Sequence, residues 1–267
     1  MTDKTIHFIS GLPRSGSTLL CNILNQNPEF HATSTSGILD IILAIRNQWE
    51  NVTEFKASPN KPGKHAVVRP MLQNYYSVAE RPVVFDKSRG WIAHIELAEF
   101  ILGRKVKILV PVRNITDILC SFENLFRTQA HEWQFPQEKT HFHEWQTVEG
   151  RAGIWMRNDQ PVGIAYNRIR DAISRGYDDR LHFIEYENLT NHPQQTMERV
   201  YKFLEYDEYV HNFANVKQTT SENDDIHGIP GLHTIRPEVK PHQQYNAANM
   251  IGQQSVDKFG DAQFWRR

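Results

Sequence analysis

Residues 10–16 (SGLPRSG), here called loop 10–16, could bind an anion. The loop follows an apolar segment typical of a buried strand, and Ser17 begins a segment with the pattern of a helix. A strand that enters a helix through such a loop directs unpaired backbone N–H groups, and the positive end of the helix dipole, towards one point. Phosphate is a common ligand of that arrangement. Arg14 adds a guanidinium whose paired N–H donors suit two oxygens of a phosphate or sulfonate group.

The glycines of the loop distinguish between two kinds of phosphate site. Gly11 and Gly16 have the spacing of a nucleotide-binding P-loop, but Ser17 stands where kinases and ATPases have lysine. Thr18 could still coordinate magnesium, and Asp86 is the only fair substitute for a magnesium-binding aspartate. The loop therefore favours a phosphate site without the lysine by which kinases and ATPases bind a terminal phosphate. A P-loop kinase acting on a small metabolite is the alternative.

A second basic residue, Arg113, follows the apolar run 106–112 where that run ends. The run is typical of a buried strand, and Asn114 is suited to cap a helix after it. Arg113 would then lie at the carboxyl end of a strand, the edge at which open α/β sheets bind ligands. Ser121 follows eight residues later, about two helical turns along, and so on a similar face.

The elements that must position these residues alternate between strand and helix. Strand-like segments occur at 6–10, 83–86, 106–112 and 181–186, with helical segments between them. This alternation predicts an α/β fold with a central parallel sheet flanked by crossover helices. At 267 residues, the chain is expected to form a single domain over residues 1–267.

Loop 10–16 resembles the 5′-phosphosulfate loop of sulfotransferases that use 3′-phosphoadenosine 5′-phosphosulfate (PAPS), and Arg113 with Ser121 resembles their 3′-phosphate motif. The resemblance is to the soluble bacterial or viral type. It implies a P-loop-like sulfotransferase fold and transfer of a sulfuryl group to a hydroxyl or amine. The product would be 3′,5′-adenosine bisphosphate (PAP), and no metal is required. The groups assigned to the phosphosulfate are Arg14 and the backbone amides of Ser15, Gly16, Ser17 and Thr18.

Two more residues acquire cofactor-binding roles by the same resemblance. Residues 180–205 predict a strand, a loop and an amphipathic helix, and Tyr186-Glu-Asn-Leu resembles a family segment whose tyrosine lies near the adenine. A core tyrosine is the equal alternative for Tyr186. Arg236 follows two glycines near the C-terminus and is the candidate for an additional cation at the 3′ side. A solvated arginine in a turn is its alternative.

Lys87 follows the strand-like segment 83–86, at a position where sulfotransferases often have a lysine close to the bridging oxygen of the donor. Charge builds on the leaving phosphate oxygen during transfer, and an ammonium group there would stabilise it. The resemblance therefore makes Lys87 a catalytic residue together with Arg14. The alternative is an ion pair between Lys87 and Asp86 or another acid at the surface.

The base that takes the acceptor's proton does not follow the family patterns. Tyrosylprotein-type members have a glutamate where this chain has Thr35, and small-molecule members have a histidine where it has Arg89. Asp40 is the nearest acid to the first position and is the tentative base. His31 and His65 are further candidates.

The composition limits the partners and the compartment. A net charge of −1 and a pI of about 6.9 give no indication of nucleic acid or an anionic membrane as a partner. Cys21 and Cys120 are too few for a disulfide framework and suit a reducing compartment. The sequence shows neither a membrane span nor a signal pattern, so we expect a cytoplasmic protein.

Three long polar segments are the expected places for acceptor recognition. Residues 50–64, 127–160 and 219–245 have weak periodicity or glycine and proline breaks, and the last two are expected to be lids or substrate loops. The acceptor itself, whether a small molecule, a sugar or a peptide, is not specified, and neither is the oligomeric state. Because the usual base is missing, an inactive protein that only binds PAPS or PAP is a further alternative.

Overall fold

A computed structural model describes residues 3–132, 134–227, 231–241 and 245–266. Its centre is one parallel sheet of five strands in the order β2-β3-β1-β4-β5. The strands are β1 (Thr5–Ile9), β2 (Phe30–Thr35), β3 (Val83–Lys87), β4 (Ile108–Val112) and β5 (Leu181–Glu185). The α/β fold with a central parallel sheet, predicted from the sequence, is confirmed.

Helices connect the strands and cover both faces of the sheet. They are α1 (Ser17–Leu24), α2 (Ile38–Asn51), α3 (Thr53–Ala57), α4 (Lys61–Val68), α5 (Met71–Tyr76), α6 (Ile95–Leu102), α7 (Ile115–Gln129), α8 (Pro136–Thr140), α9 (Phe142–Trp145), α10 (Val148–Trp155), α11 (Pro161–Ser174), α12 (Tyr186–Asn191), α13 (Pro193–Leu204), α14 (Ala247–Ile251) and α15 (Gln253–Phe259). Short 3₁₀ turns occur at Trp91–Ala93, Asp178–Arg180, Asp224–His227 and Phe264–Arg266.

The core consists of two apolar clusters separated by the sheet. Successive side chains of β1 point to opposite faces of the sheet. Phe8 therefore packs in the cluster formed with α2, α6, α7, α10 and α11, and Ile9 packs in the cluster formed with α1 and α13. Helix α13 is amphipathic, as its sequence predicts, and buries Met197 and Val200 in the second cluster. Apolar side chains on both faces explain why β1, β3 and β4 are nearly continuous apolar runs.

Strand β2 has no counterpart among the predicted strands. Its sequence, FHATST, buries Phe30 and Ala32 and leaves the alternate residues more accessible, because it lies at the edge of the sheet and pairs only with β3. Short polar edge strands lack the apolar run by which the central strands were predicted.

The segments expected to be irregular contain more regular structure than the sequence suggested. Helices α3 and α4 begin within residues 50–64, and α8, α9 and α10 lie within 127–160. These helices are short, and several of them bury few or no residues, so they produce little apolar periodicity over a sequence window. The segment 219–245 is mostly irregular where it is described, and residues 228–230 and 242–244 lie outside the described residues.

Candidate active site

Loop 10–16 joins β1 to α1 and is held against the end of β4. Leu12 N–H donates to the carbonyl of Pro111 (2.9 Å), and the hydroxyl of Ser15 donates to the carbonyls of Leu12 (2.6 Å) and Pro111 (3.0 Å). A Cβ atom on Gly11 would lie 2.1 Å from that same Pro111 oxygen, so only glycine permits this approach. The Ser15 side chain therefore fixes the loop, and its backbone N–H is the group that could bind a ligand.

The first turn of α1 has backbone donors that no capping side chain occupies. Gly16 is the N-cap, with φ of 81°, and it makes no side-chain cap hydrogen bond. The first N–H groups of a helix have no partner within the helix, and here they follow a residue without a side chain. Ser17 and Thr18 begin the helix and are partly accessible. The positive helix end is thus available to an anion.

The side chain of Arg14 joins the two motifs predicted to bind phosphate groups. Its Nε donates to Ser121 Oγ (3.2 Å), 107 residues away in the sequence, and its Nη1 donates to the carbonyl of Leu232 (2.7 Å). Arg113 Nη1 in turn donates to the backbone carbonyl of Arg14 (3.4 Å). Burial, followed by the charge of Arg113, lowers the pKa of Arg14. An anion between these two cations would relieve that repulsion.

Arg113 is stacked on Tyr186 and incompletely paired. Its guanidinium carbon lies 4.5 Å from the centre of the Tyr186 ring. Its Nε is buried and makes no hydrogen bond within the part of the chain that the structure describes, and the nearest carboxylate, Glu187, is 4.0 Å away. Burial raises the pKa of Glu187, which weakens its ability to neutralise Arg113. A buried guanidinium in this state favours an anionic ligand from outside the chain.

Lys87 lies at the carboxyl end of β3, directly beside the start of loop 10–16. Ile9 and Lys87 are register partners, and Ser88 N–H donates to the carbonyl of Ile9 (3.1 Å). The Lys87 side chain is buried and its Nζ donates to Glu222 Oε1 (2.7 Å). The lysine is therefore paired with an acid, as its alternative interpretation expected, but in the interior and not with Asp86.

Asp86 is committed to the core. It is completely buried, accepts a hydrogen bond from Trp91 Nε1 (2.7 Å) and a short one from the Tyr76 hydroxyl, and burial raises its pKa. A carboxyl group in that environment is unsuited to the magnesium-binding role that the kinase alternative requires.

Comparison with known proteins identifies the family. A family model described as the sulfotransferase family matches residues 7–209, about three quarters of the chain and all the motifs above except the C-terminal segment. The chain belongs to the sulfotransferase family. This sulfotransferase is therefore an enzyme that transfers sulfuryl groups, as the sequence predicted. A search of curated proteins returned no match.

Two solved structures share the fold of this sulfotransferase at low identity, and a third is similar to it. The sulfotransferase domain of the olefin synthase of Synechococcus PCC 7002 is 17% identical, with 100% of this chain and 96% of that chain covered and a TM-score of 0.52. A sulfotransferase from Alicyclobacillus acidocaldarius is 13% identical, with 100% of both chains covered and a TM-score of 0.51. The sulfotransferase STF9 of Mycobacterium avium is 14% identical, with 78% of this chain and 65% of that chain covered and a TM-score of 0.48.

Two of the predicted site residues lie apart from the cluster around Arg14. Asp40 is exposed on the first turn of α2, and Arg168 is close enough for the Asp40 charge to act on its pKa. Arg236 is exposed, and its guanidinium donates to the carbonyl of Lys240 (3.1 Å). Leu232, in the described part of the C-terminal segment, contacts Arg14 through its carbonyl.

Glu222 is a functional residue that sequence reasoning missed. Its carboxylate reaches Lys87 across 135 residues and also accepts from the N–H of Thr35 (3.1 Å), a position at which the sequence resemblance had suggested a base. The pattern around Glu222, a run of polar residues, is typical of any surface loop. Only the folding of the C-terminal segment over the sheet edge brings the carboxylate to this place.

Two further observations concern metals and membranes. Over the described ranges, no group of three or more histidine, cysteine, aspartate or glutamate side chains is placed to hold a metal ion. Within the same residues, no helix has the length and apolar character needed to cross a bilayer. Cys21 and Cys120 are both buried and free, and the cytoplasmic location expected from the sequence stays a prediction.

Proposed function

We propose that this sulfotransferase takes its sulfuryl group from PAPS and transfers it to a hydroxyl or amine. The observation that carries the proposal is the meeting of Arg14, Arg113, Ser121 and Tyr186 beside the open start of α1. Arg113 retains a buried Nε with no hydrogen bond within the described residues, so the site fits a ligand with more than one anionic group. PAPS has such groups on both its 5′ and 3′ sides.

Each side chain has a role that follows from its position. Arg14 and the backbone amides from Ser15 to Thr18 would hold the 5′-phosphosulfate, because they surround the first turn of α1. Arg113 and the hydroxyl of Ser121 would hold the 3′-phosphate. The Tyr186 ring, packed between Arg113 and Gly16, would support the adenosine.

Lys87 is placed to act on the leaving group. Its backbone adjoins the start of loop 10–16, so its ammonium group can be directed to the oxygen that links sulfur to phosphorus in the donor. A hydrogen bond from a cation that strengthens as negative charge develops lowers the barrier to transfer. For that role, the Lys87 ammonium group must leave the Glu222 carboxylate and pair with the donor instead. The carboxylate and the donor are both negatively charged, so either can pair with the lysine.

We propose that the acceptor extends into a cavity of about 520 Å³ between α2, α4 and α6. Its apolar wall includes Trp49 and Phe55, whose rings stack with centroids 4.1 Å apart, and Arg46 and Lys61 are among its cationic lining residues. Arg46 lies about 12 Å along α2 from Ile38, and α2 begins beside the end of β3. An extended acceptor with an apolar or aromatic body and an acidic group would fit this cavity.

Calorimetric titration with PAP, 5′-AMP and ATP tests the donor site. We expect PAP to bind more tightly than 5′-AMP, because only PAP has a 3′-phosphate. Arg113→Ala should weaken PAP binding by about 10- to 100-fold, the worth of a charge-assisted pair of hydrogen bonds, and change 5′-AMP binding little.

Arg157→Ala is the matched control, since Arg157 is exposed and pairs with Glu144 away from the cluster. It should leave all three affinities unchanged. Equal binding of PAP and 5′-AMP by the wild-type protein would contradict the proposal. Magnesium-dependent preference for ATP would instead favour the kinase alternative.

A further inference from the structure

Glu222 has an environment that its position in a polar loop does not explain. The carboxylate is almost inaccessible, with 9% of the side chain exposed. One oxygen, Oε1, accepts from Lys87 Nζ (2.7 Å) and from the backbone of Thr35 (3.1 Å). The other oxygen, Oε2, lies 3.4 Å from His233 Nδ1. A buried carboxylate beside the lysine assigned to the leaving group can reach a molecule that attacks the same sulfur atom.

We propose that Glu222 is the general base that takes the proton from the acceptor. The inference rests on the proposed function, because it assumes that sulfuryl transfer occurs at Lys87. The exposed Asp40, the tentative base from the sequence, has no comparable contact with Lys87 among those that the structure describes.

The transfer step balances with these groups alone. The acceptor oxygen, or nitrogen, forms a bond to sulfur while the bond from sulfur to the bridging oxygen of PAPS breaks. The bridging oxygen keeps the electron pair and leaves as part of PAP, where Lys87 donates a hydrogen bond to it. The acceptor's proton moves to a carboxylate oxygen of Glu222, and from there to solvent as the product departs.

The charges around Glu222 suit a base whose proton affinity rises during the transfer step. Burial opposes ionisation of Glu222, but the hydrogen bond and charge of Lys87, together with the hydrogen bond from Thr35 and the charge of His233, outweigh it and lower the pKa of the carboxyl. When Lys87 turns to the leaving oxygen, that stabilisation weakens and the effect of burial stays. The carboxylate then takes a proton more readily. Among the described residues, Arg89 just beyond β3 and the Cys21 thiol on α1 also lie close enough to interact with the charge of Glu222.

His233 and Asp224 position the carboxylate from its own segment. Asp224 accepts from the backbone N–H of His233 (3.0 Å), and the His233 ring nitrogen Nδ1 lies 2.5 Å from Asp224 Oδ1. These contacts close the segment into a compact turn that holds His233 beside Glu222. The turn limits the directions in which the Glu222 side chain can move once Lys87 releases it.

The test measures PAPS turnover in the Glu222→Gln variant. Glutamine keeps the volume of the side chain and the oxygen that accepts from Thr35, but it cannot take a proton. The rate of conversion of PAPS to PAP and sulfate, with water as the acceptor and enzyme in excess, requires no knowledge of the natural acceptor. We expect a loss of about 100-fold or more, with PAP affinity within about threefold of wild type. Glu222→Asp should retain part of the rate.

The pH dependence separates a base from a structural residue. The wild-type rate should fall at low pH as Glu222 becomes protonated, and the glutamine variant should lack this fall. Glu238→Gln, an exposed glutamate in the same C-terminal segment, is the matched control and should behave as wild type. A Glu222→Gln rate within about threefold of wild type would overturn the inference, as would an equal loss caused by Asp40→Asn. Failure of the wild-type protein to bind PAP would instead overturn the proposed donor site.

Discussion

Substitution of Gly16 by alanine tests whether the Tyr186 ring must lie against the start of α1. Gly16 has φ of 81°, and a Cβ atom there would be 2.7 Å from Tyr186 Cδ2, closer than such atoms approach in folded proteins. The ring cannot move freely, because Arg113 lies over it at 4.5 Å. Gly16→Ala therefore imposes a strained backbone and also displaces Tyr186 and Arg113.

The loss of stability expected for Gly16→Ala has two contributions. An alanine in the left-handed region costs about 1 kcal/mol relative to glycine, and forced displacement of a packed ring adds about 1–3 kcal/mol. We expect Gly16→Ala to lose about 2–4 kcal/mol of unfolding free energy, which lowers Tm by roughly 6–12 °C for a protein of this size. PAP affinity should fall by about tenfold, because Arg113 loses its support.

Gly103→Ala separates the two parts. Gly103 ends α6 with φ of 65°, and a Cβ atom there would meet nothing within 4 Å. This variant should lose only the backbone contribution of about 1 kcal/mol, or roughly 3 °C in Tm, and should bind PAP as wild type does. Thermal unfolding and calorimetry with PAP on the same preparations measure both quantities. If Gly16→Ala lost no more stability than Gly103→Ala and bound PAP normally, the proposed contact of Tyr186 with the donor site would be refuted.

Three further predictions concern catalysis, acid stability and the acceptor. Lys87→Gln should lower the rate of PAPS turnover by about 100- to 1000-fold and weaken PAP binding by less than about tenfold. The reason is that the lysine acts mainly on the negative charge that develops on the leaving oxygen during transfer. Equal losses in rate and in affinity would indicate a binding role. Burial, with the nearby charges of Arg104 and Lys107, lowers the pKa of His7 in the folded protein to about 3, from 6.5 in the unfolded chain. Protonation therefore favours the unfolded chain, and the free energy of unfolding falls as the pH drops from 6.5 towards 3. Between pH 7 and pH 5, the free energy of unfolding measured in urea should fall by about 2 kcal/mol more for the wild type than for His7→Phe. Equal decreases in the two proteins would contradict this prediction. Trp49→Ala should raise the KM of an acceptor found by screening by about tenfold with PAP affinity unchanged, whereas removal of another accessible aromatic ring by Tyr75→Ala should not.

Local chemistry in the sequence was enough to predict the central elements. Strands β1, β3 and β4 are largely apolar on both faces, which a parallel sheet covered by helices requires. Strand β3 ends at Lys87, and loop 10–16 and Arg113 directly follow β1 and β4. Strand β2 could not be predicted in this way, because its sequence, FHATST, has apolar residues only at Phe30 and Ala32. The glycines and Arg14 of loop 10–16 indicated an anion site through their types and spacing alone.

The tertiary structure decided which distant residues meet. Arg14 reaches Ser121 because β4 lies next to β1, so their carboxyl ends place both motifs at one edge of the sheet. Glu222 reaches Lys87 because an irregular C-terminal segment folds back over that edge. The first kind of contact follows from strand patterns that a sequence displays. The second depends on the path of a chain without regular periodicity, and long-range side-chain contacts fix that path only after the sheet has formed.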